Sequence, residues 1–187
     1  MIWKVIVEII TAFIPKKYRY QCRIRLRSIW NYLYVKSKVA KFSKGFQCGY
    51  DTPCSVSKYT YLEENVTLAG CYIMGSGKFC VGKNSHLGKD LLVMTDNHNY
   101  KGEALPFDKT NIKKDVIIGE NCWVGTRVTL LPGTIIGDGV IIQAGSVVHG
   151  EIPPLAIIGG NPAKVFKYRD KEHYERLKAE NKFIHNI

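Results

Sequence analysis

Along residues 112–148 an aliphatic side chain returns at every sixth position: Ile112, Ile118, Val124, Leu130, Ile136, Ile142 and Val148. Four positions after the first six of these stand Val116, Cys122, Val128, Thr134, Val140 and Ser146, all small or β-branched. Gly119, Gly125 and Gly137 directly follow three of the aliphatic positions. A period of six fits neither the 3.6-residue helix nor the alternation of a long strand. It fits short strands joined by tight corners, with the aliphatic residue pointing into a coil and a glycine letting the chain turn. Stacked coils bury one continuous apolar column, and each strand pairs with the strands above and below it. The beat runs more loosely through the first half, at Tyr50, Val56, Leu62, Leu68 and Met74 and then, after one added residue, at Val81, Leu87 and Val93. Cys122 occupies a small inward position, which predicts packing rather than reactivity.

The beat stops once, over "MTDNHNYKGEALPFDKTN" between Val93 and Ile112. The segment is polar and is punctuated by Gly102 and Pro106. A long excursion from a regular scaffold commonly carries function, and this one holds one histidine, His98. Imidazole is the side chain whose ordinary pKa lies nearest neutrality, which suits it to move a proton.

Charge changes the picture at the N-terminus. Residues 1–45 contain eleven Lys or Arg and one acid, Glu8, and so hold ten of the net eleven positive charges. They open with "MIWKVIVEIITAFIP" and continue "KKYRYQCRIRLRS". The apolar stretch is too short to span a bilayer, which needs about 20 residues, and no small-residue cleavage signature follows it. A basic amphipathic helical region remains, either contacting an anionic membrane surface through residues 1–30 or packing on the end of the domain. No recognition motif accompanies the charge, so nucleic acid is not an expected partner. The six cysteines form no C-x-x-C pair and no metal-type spacing with histidine, which predicts reduced thiols in a cytoplasmic protein and no metal.

The motifs "VIIGENCWVGTRVTLLPGTIIGDGVIIQAGSVV" and "IPPLAIIGGNPAKVFKYRD" resemble the hexapeptide-repeat acyltransferases, the group of galactoside, maltose and xenobiotic acetyltransferases and of many bacterial polysaccharide O-acetyltransferases. The resemblance covers residues 50–169. It implies an all-β core, a left-handed parallel β-helix of triangular section with three hexapeptides per coil, assembled as a homotrimer. The expected organisation is a basic N-terminal region (1–45), the β-helix domain (46–168) with a loop at 94–111, and a C-terminal helix (169–187).

The same resemblance implies acetyl transfer from acetyl-CoA to a sugar hydroxyl of a surface-polysaccharide precursor. The basic amphipathic N-terminus, rather than the resemblance, points to a glycan or lipid-linked intermediate handled at the inner membrane face. His98 matches the family's general base, and Asp96 or a backbone carbonyl is expected to orient it. Direct attack needs no acyl-enzyme, hence no nucleophilic Ser or Cys. The positions matching acetyl-CoA contacts are Trp123, Gly125, Thr126, Ala144, Gly145 and His149, with Lys164 and Lys167 for its phosphates. Many relatives have Thr-Lys where this chain has His149-Gly150. Expected acceptor contacts are Tyr72, His86, Asn97 and Asn99. Several relatives carry an asparagine where this chain reads "LAGCY", which points to an acceptor other than a simple galactoside. His173 and His185 are expected to be solvated. The competing readings are transfer to a small soluble sugar or xenobiotic, a catalytically silent assembly module, and a zinc carbonic anhydrase, which would need three clustered histidines.

Overall fold

The short strands and tight corners close into a parallel β-helix, the left-handed hexapeptide architecture expected. A computed structural model describes residues 2–49 and 54–186, with the side chains of residues 2–4 left out. Tyr50, the first residue of the N-terminal beat, lies outside the described residues, as do Met1 and Ile187. The coil has three faces. The first stacks Lys41–Phe42, Thr60–Leu62, Phe79–Val81, Val116–Ile118, Ile135–Ile136 and Glu151–Ile152. The second stacks Gln47–Cys48, Thr67–Leu68, His86–Leu87, Trp123–Val124, Ile141–Ile142 and Ala156–Gly160. The third stacks Cys54–Ser55, Cys71–Met74, Leu91–Met94, Thr129–Leu130 and Val147–Val148. Every step within these stacks is parallel. A final strand, Ala163–Tyr168, turns back antiparallel on the edge of the second face. The coil opens at Lys41, ahead of the expected boundary at 46, because Lys41–Phe42 already pairs with Tyr61–Leu62.

The predicted column is the core. Ile118, Val124, Leu130, Ile136, Ile142 and Val148 are buried, as are Val116, Cys122, Val128 and Val140. Each buried aliphatic side chain contributes about 1.5–3 kcal/mol relative to exposure. Buried hydroxyls on the column are satisfied locally: Thr134 Oγ1 donates to the Leu131 carbonyl at 2.6 Å and Ser146 Oγ to that of Gln143 at 2.7 Å. Two positions depart from the beat. Met74 is exposed and Ile73 points inward, because only Ala69 and Gly70 separate the two strands at a corner that takes three residues after His86–Leu87 and four after Trp123–Val124, which resets the phase. Ile112 sits in a hairpin strand outside the coil.

Asparagines at the corner between the first and second faces form a ladder. Asn65, Asn84 and Asn121 all have φ between 56° and 59°, a conformation that asparagine tolerates better than most residues. Asn65 Nδ2 donates to Asn84 Oδ1 at 3.0 Å, Asn84 to Asn121 at 3.3 Å, and Asn121 to the Tyr174 hydroxyl at 3.0 Å. The ladder therefore ends on the C-terminal helix.

Three helices flank the coil: α1 (Ile2–Ala12), α2 (Lys16–Lys38) and α3 (Lys171–Ala179). α2 packs on the N-terminal end of the coil, where Val35 joins the core and Tyr32 stacks on Phe46. α1 packs on α2 through Val7 and Thr11, and Glu8 pairs with Arg23 and Arg27. Val5, Ile6, Ile9 and Ile10 of α1, and Phe13 just after it, are exposed. Among the described residues no helix is long and apolar enough to cross a membrane.

Candidate active site

The break in the repeat leaves the coil at the corner between the third and first faces. After Leu91–Met94 the chain forms a short antiparallel hairpin, Asp96–His98 against Asn111–Lys113, and re-enters the coil at Val116. The tip is tied by its own polar groups. Asn99 Nδ2 donates to Thr110 Oγ1 at 3.1 Å, and the Asn99 carbonyl accepts from the amides of Gly102 and Asp108. Asp108 accepts from the Thr110 amide at 2.8 Å and from its hydroxyl, and these bonds hold its carboxyl below the usual carboxylate range. Asn99 is thus committed to the loop itself. Asn97 is exposed on the strand side opposite Asp96 and His98.

His98 is exposed, and its ring lies flat on Phe107, with centroids 3.9 Å apart and planes at 5°. No hydrogen-bond partner holds either ring nitrogen among the described residues. Asp96 does not supply one: its Oδ2 accepts from the amide and the hydroxyl of Ser76 at 3.0 and 3.1 Å. That carboxylate braces the corner one coil below.

A second group gathers on the second face. His86, Trp123 and Ile141 occupy the same register in three successive coils. Two residues singled out on separate grounds, His86 and Trp123, are therefore neighbours. Beside them a cavity of about 540 Å³ opens toward Tyr174, Leu177 and Phe183 of the C-terminal segment. Burial, and then His185, holds the His86 imidazole below its ordinary value. His185 is not solvated: its Nδ1 lies 3.4 Å from Gln47 Nε2 and its Nε2 is buried. The short turn Ile184–Asn186 docks back on the second face instead. His173 is exposed on α3.

The positions expected to hold acetyl-CoA divide between two surfaces. Trp123 lies on the second face and is 58% exposed. Gly125, Thr126, Ala144 and Gly145 form the adjoining corner, where the Gly145 amide donates to the Thr126 carbonyl. Gly125 is small for a structural reason, since a Cβ there would meet the Ala144 amide nitrogen at 2.5 Å. Gly145, with φ at +74°, faces open space, so that corner offers bare backbone to a ligand. Lys164 and Lys167 are exposed on the closing strand beside the same face. His149 falls elsewhere, on the corner that carries the His98 loop. In a triangular coil that corner is the one the second face does not border, so a single chain keeps His98 and Trp123 apart. Tyr72 is exposed on the third face, in a cleft with Trp30 and Tyr34 of α2. Cys122 is buried, burial pushes its thiol up to about 11, and Sγ lies 3.2 Å from the Gly137 carbonyl. Among the described residues no group of three or more His, Cys, Asp or Glu is suited to a metal ion.

Sequence reasoning passed over Phe107 and Ser76. Phe107 left a signal, a large aromatic in a polar excursion beside Pro106; Ser76 left none, because its partner lies twenty residues away.

Residues 115–150 match the bacterial transferase hexapeptide model of six repeats. The chain is 37% identical over 100 residues to WbbJ of Escherichia coli K12, named for O-acetyl transfer in lipopolysaccharide biosynthesis; the match covers 49% of this chain and 51% of WbbJ. It is 29% identical over 120 residues to WcaF of the same organism, named as a colanic acid biosynthesis acetyltransferase, covering 64% and 61%. These matches reach only about half to six-tenths of the relatives' length. Among solved structures, a galactoside acetyltransferase in complex with coenzyme A superposes with a TM-score of 0.63 at 20% identity, covering 91% of this chain and 80% of that one, which establishes the shared fold.

Proposed function

We propose that this chain, which belongs through its repeat to the bacterial transferase hexapeptide family, is an acetyl-CoA-dependent O-acetyltransferase for a sugar hydroxyl of a surface-polysaccharide precursor. The observation that carries the reading is an exposed imidazole with both ring nitrogens free, on a tied loop projecting from a rigid coil. His98 takes the proton of the acceptor hydroxyl as its oxygen attacks the thioester carbon. The carbon–sulfur bond then breaks, and the imidazolium returns the proton to the thiolate. The exposed Trp123 and the open backbone at Gly145 suit the pantetheine arm, and Lys164 and Lys167 suit its phosphates. The polysaccharide acceptor is supported by the names of WbbJ and WcaF.

His98 and Trp123 lie on opposite sides of one coil, so a site using both needs two chains. A homotrimer supplies this, with the His98 corner of one subunit against the second face of the next. Replacing His98 with Ala should lower kcat by about 10²- to 10⁴-fold, while acetyl-CoA affinity by calorimetry stays within error. Retained turnover would refute His98 as base.

Residues 1–30 serve as a peripheral contact with an anionic membrane surface, which places the enzyme at the inner membrane face where lipid-linked glycan intermediates are handled. The support is the exposed apolar side of α1, with Phe13 88% exposed, beside the exposed cations Lys16, Lys17 and Arg25. Ile9→Glu should release the protein from phosphatidylglycerol vesicles in sedimentation; undiminished binding would remove that role.

A further inference from the structure

We propose that Phe107 is the positioning residue of the His98 imidazole, fixing by ring stacking the plane that a carboxylate would fix by hydrogen bonding. The inference rests on reading His98 as the base.

A general base works only if its lone pair is aimed, and an exposed histidine rotates about two side-chain bonds unless something holds it. The usual holder is a carboxylate or carbonyl on the second ring nitrogen. Asp96 stands two residues from His98 on the same side of the strand, yet its Oδ2 is bound twice by Ser76. Phe107 takes the place left empty. Its ring is parallel to the imidazole within 5° at 3.9 Å, so the two share a face-to-face contact that tolerates little rotation.

The backbone makes this contact a built feature of the loop. The residue after His98 and the residue after Phe107 are bonded to each other, the Asp108 amide donating to the Asn99 carbonyl at 3.3 Å. The Asn99 amide in turn donates to the Thr110 carbonyl at 3.1 Å, and the side chains of Asn99, Asp108 and Thr110 close the same knot. His98 and Phe107 are thereby held abreast across the loop. Stacking covers one ring face and leaves the nitrogen edges clear. One nitrogen can meet the acceptor hydroxyl without displacing a partner. The flat aromatic face also favours the cationic imidazolium that forms once the proton has been taken.

The test uses the full-length protein labelled with 13C in its histidine rings. In the wild type the ring protons of His98, assigned by their loss in His98→Ala, should be displaced upfield by the Phe107 ring current. In Phe107→Leu that displacement should vanish while the other four histidines keep their shifts. Kinetically, Phe107→Leu should lower kcat by about ten- to a hundredfold, the scale of a small misalignment of a reacting group. The KM for acetyl-CoA should not move, and Phe107→Tyr should restore turnover. An undisplaced His98 signal in the wild type overturns the proposal, as does full kcat in Phe107→Leu with the displacement lost. A displaced signal in a wild-type protein without acetyl transfer overturns the base reading, and the positioning role with it.

Discussion

The coils from Val116 to Ile158 and the loop between Thr95 and Asp115 are held by different forces. In the coil the strands are bonded through their backbone amides to the coils above and below, and the inward side chains sit in an apolar stack. In the loop the bonds run between neighbours, Asn99 with Thr110 and Asp108 with Thr110, and the apolar residues Leu105 and Phe107 face solvent in whole or in part. The coil is fixed by long-range burial and the loop by local polar knots. The chemistry proposed here belongs to the loop, and the coil's contribution is a rigid edge from which to present it. The second face differs from both, since its outward residues His86 and Trp123 are exposed chemistry mounted on the rigid part.

A leucine-to-alanine pair probes that contrast most sharply. Leu130→Ala empties a fully buried position in the stack and should cost about 2–5 kcal/mol in denaturant unfolding. Leu105→Ala, at a residue 95% exposed, should leave the unfolding midpoint unchanged. Equal effects would mean that loop and coil share one core.

A smaller effect comes from pH. Asp108 lies below the ordinary carboxylate value because the Thr110 hydroxyl and amide, and then the Glu103 amide, bond its charged form. A depressed folded value means that the ordering it supplies is present above the unfolded pKa and is lost as pH falls through the folded one. Amide exchange at Thr110 and Glu103 should therefore accelerate only at acid pH below the usual carboxylate range, with the coil amides unaffected. Asp108→Asn should flatten that dependence.

Most of the fold was legible because burial imposes a period. Each inward position from Ile118 to Val148 had to be aliphatic, and the six-residue spacing could be read without knowing which strands paired. It misled only where the corner shortened at Ala69–Gly70, moving Met74 outward, and at Ile112, which the hairpin removed from the column. The site was less legible because its geometry joins residues that no period links. His98 stood out as a histidine in a broken repeat, and Trp123 through its motif. The bond of Asp96 to Ser76, the stack of His98 on Phe107 and the docking of His185 near Gln47 all depend on how distant segments meet. Nor could spacing along the chain reveal that His98 and Trp123 would face away from each other.

That separation is the centre of the account, and hybrid trimers test it most directly. His98→Ala and Trp123→Ala, each inactive alone, should recover about a quarter of wild-type turnover when co-assembled at equal amounts, because three-quarters of random trimers are mixed and each mixed trimer keeps one intact site in three. Turnover no higher than that of the separate variants would contradict a site shared between the corner of one chain and the second face of another.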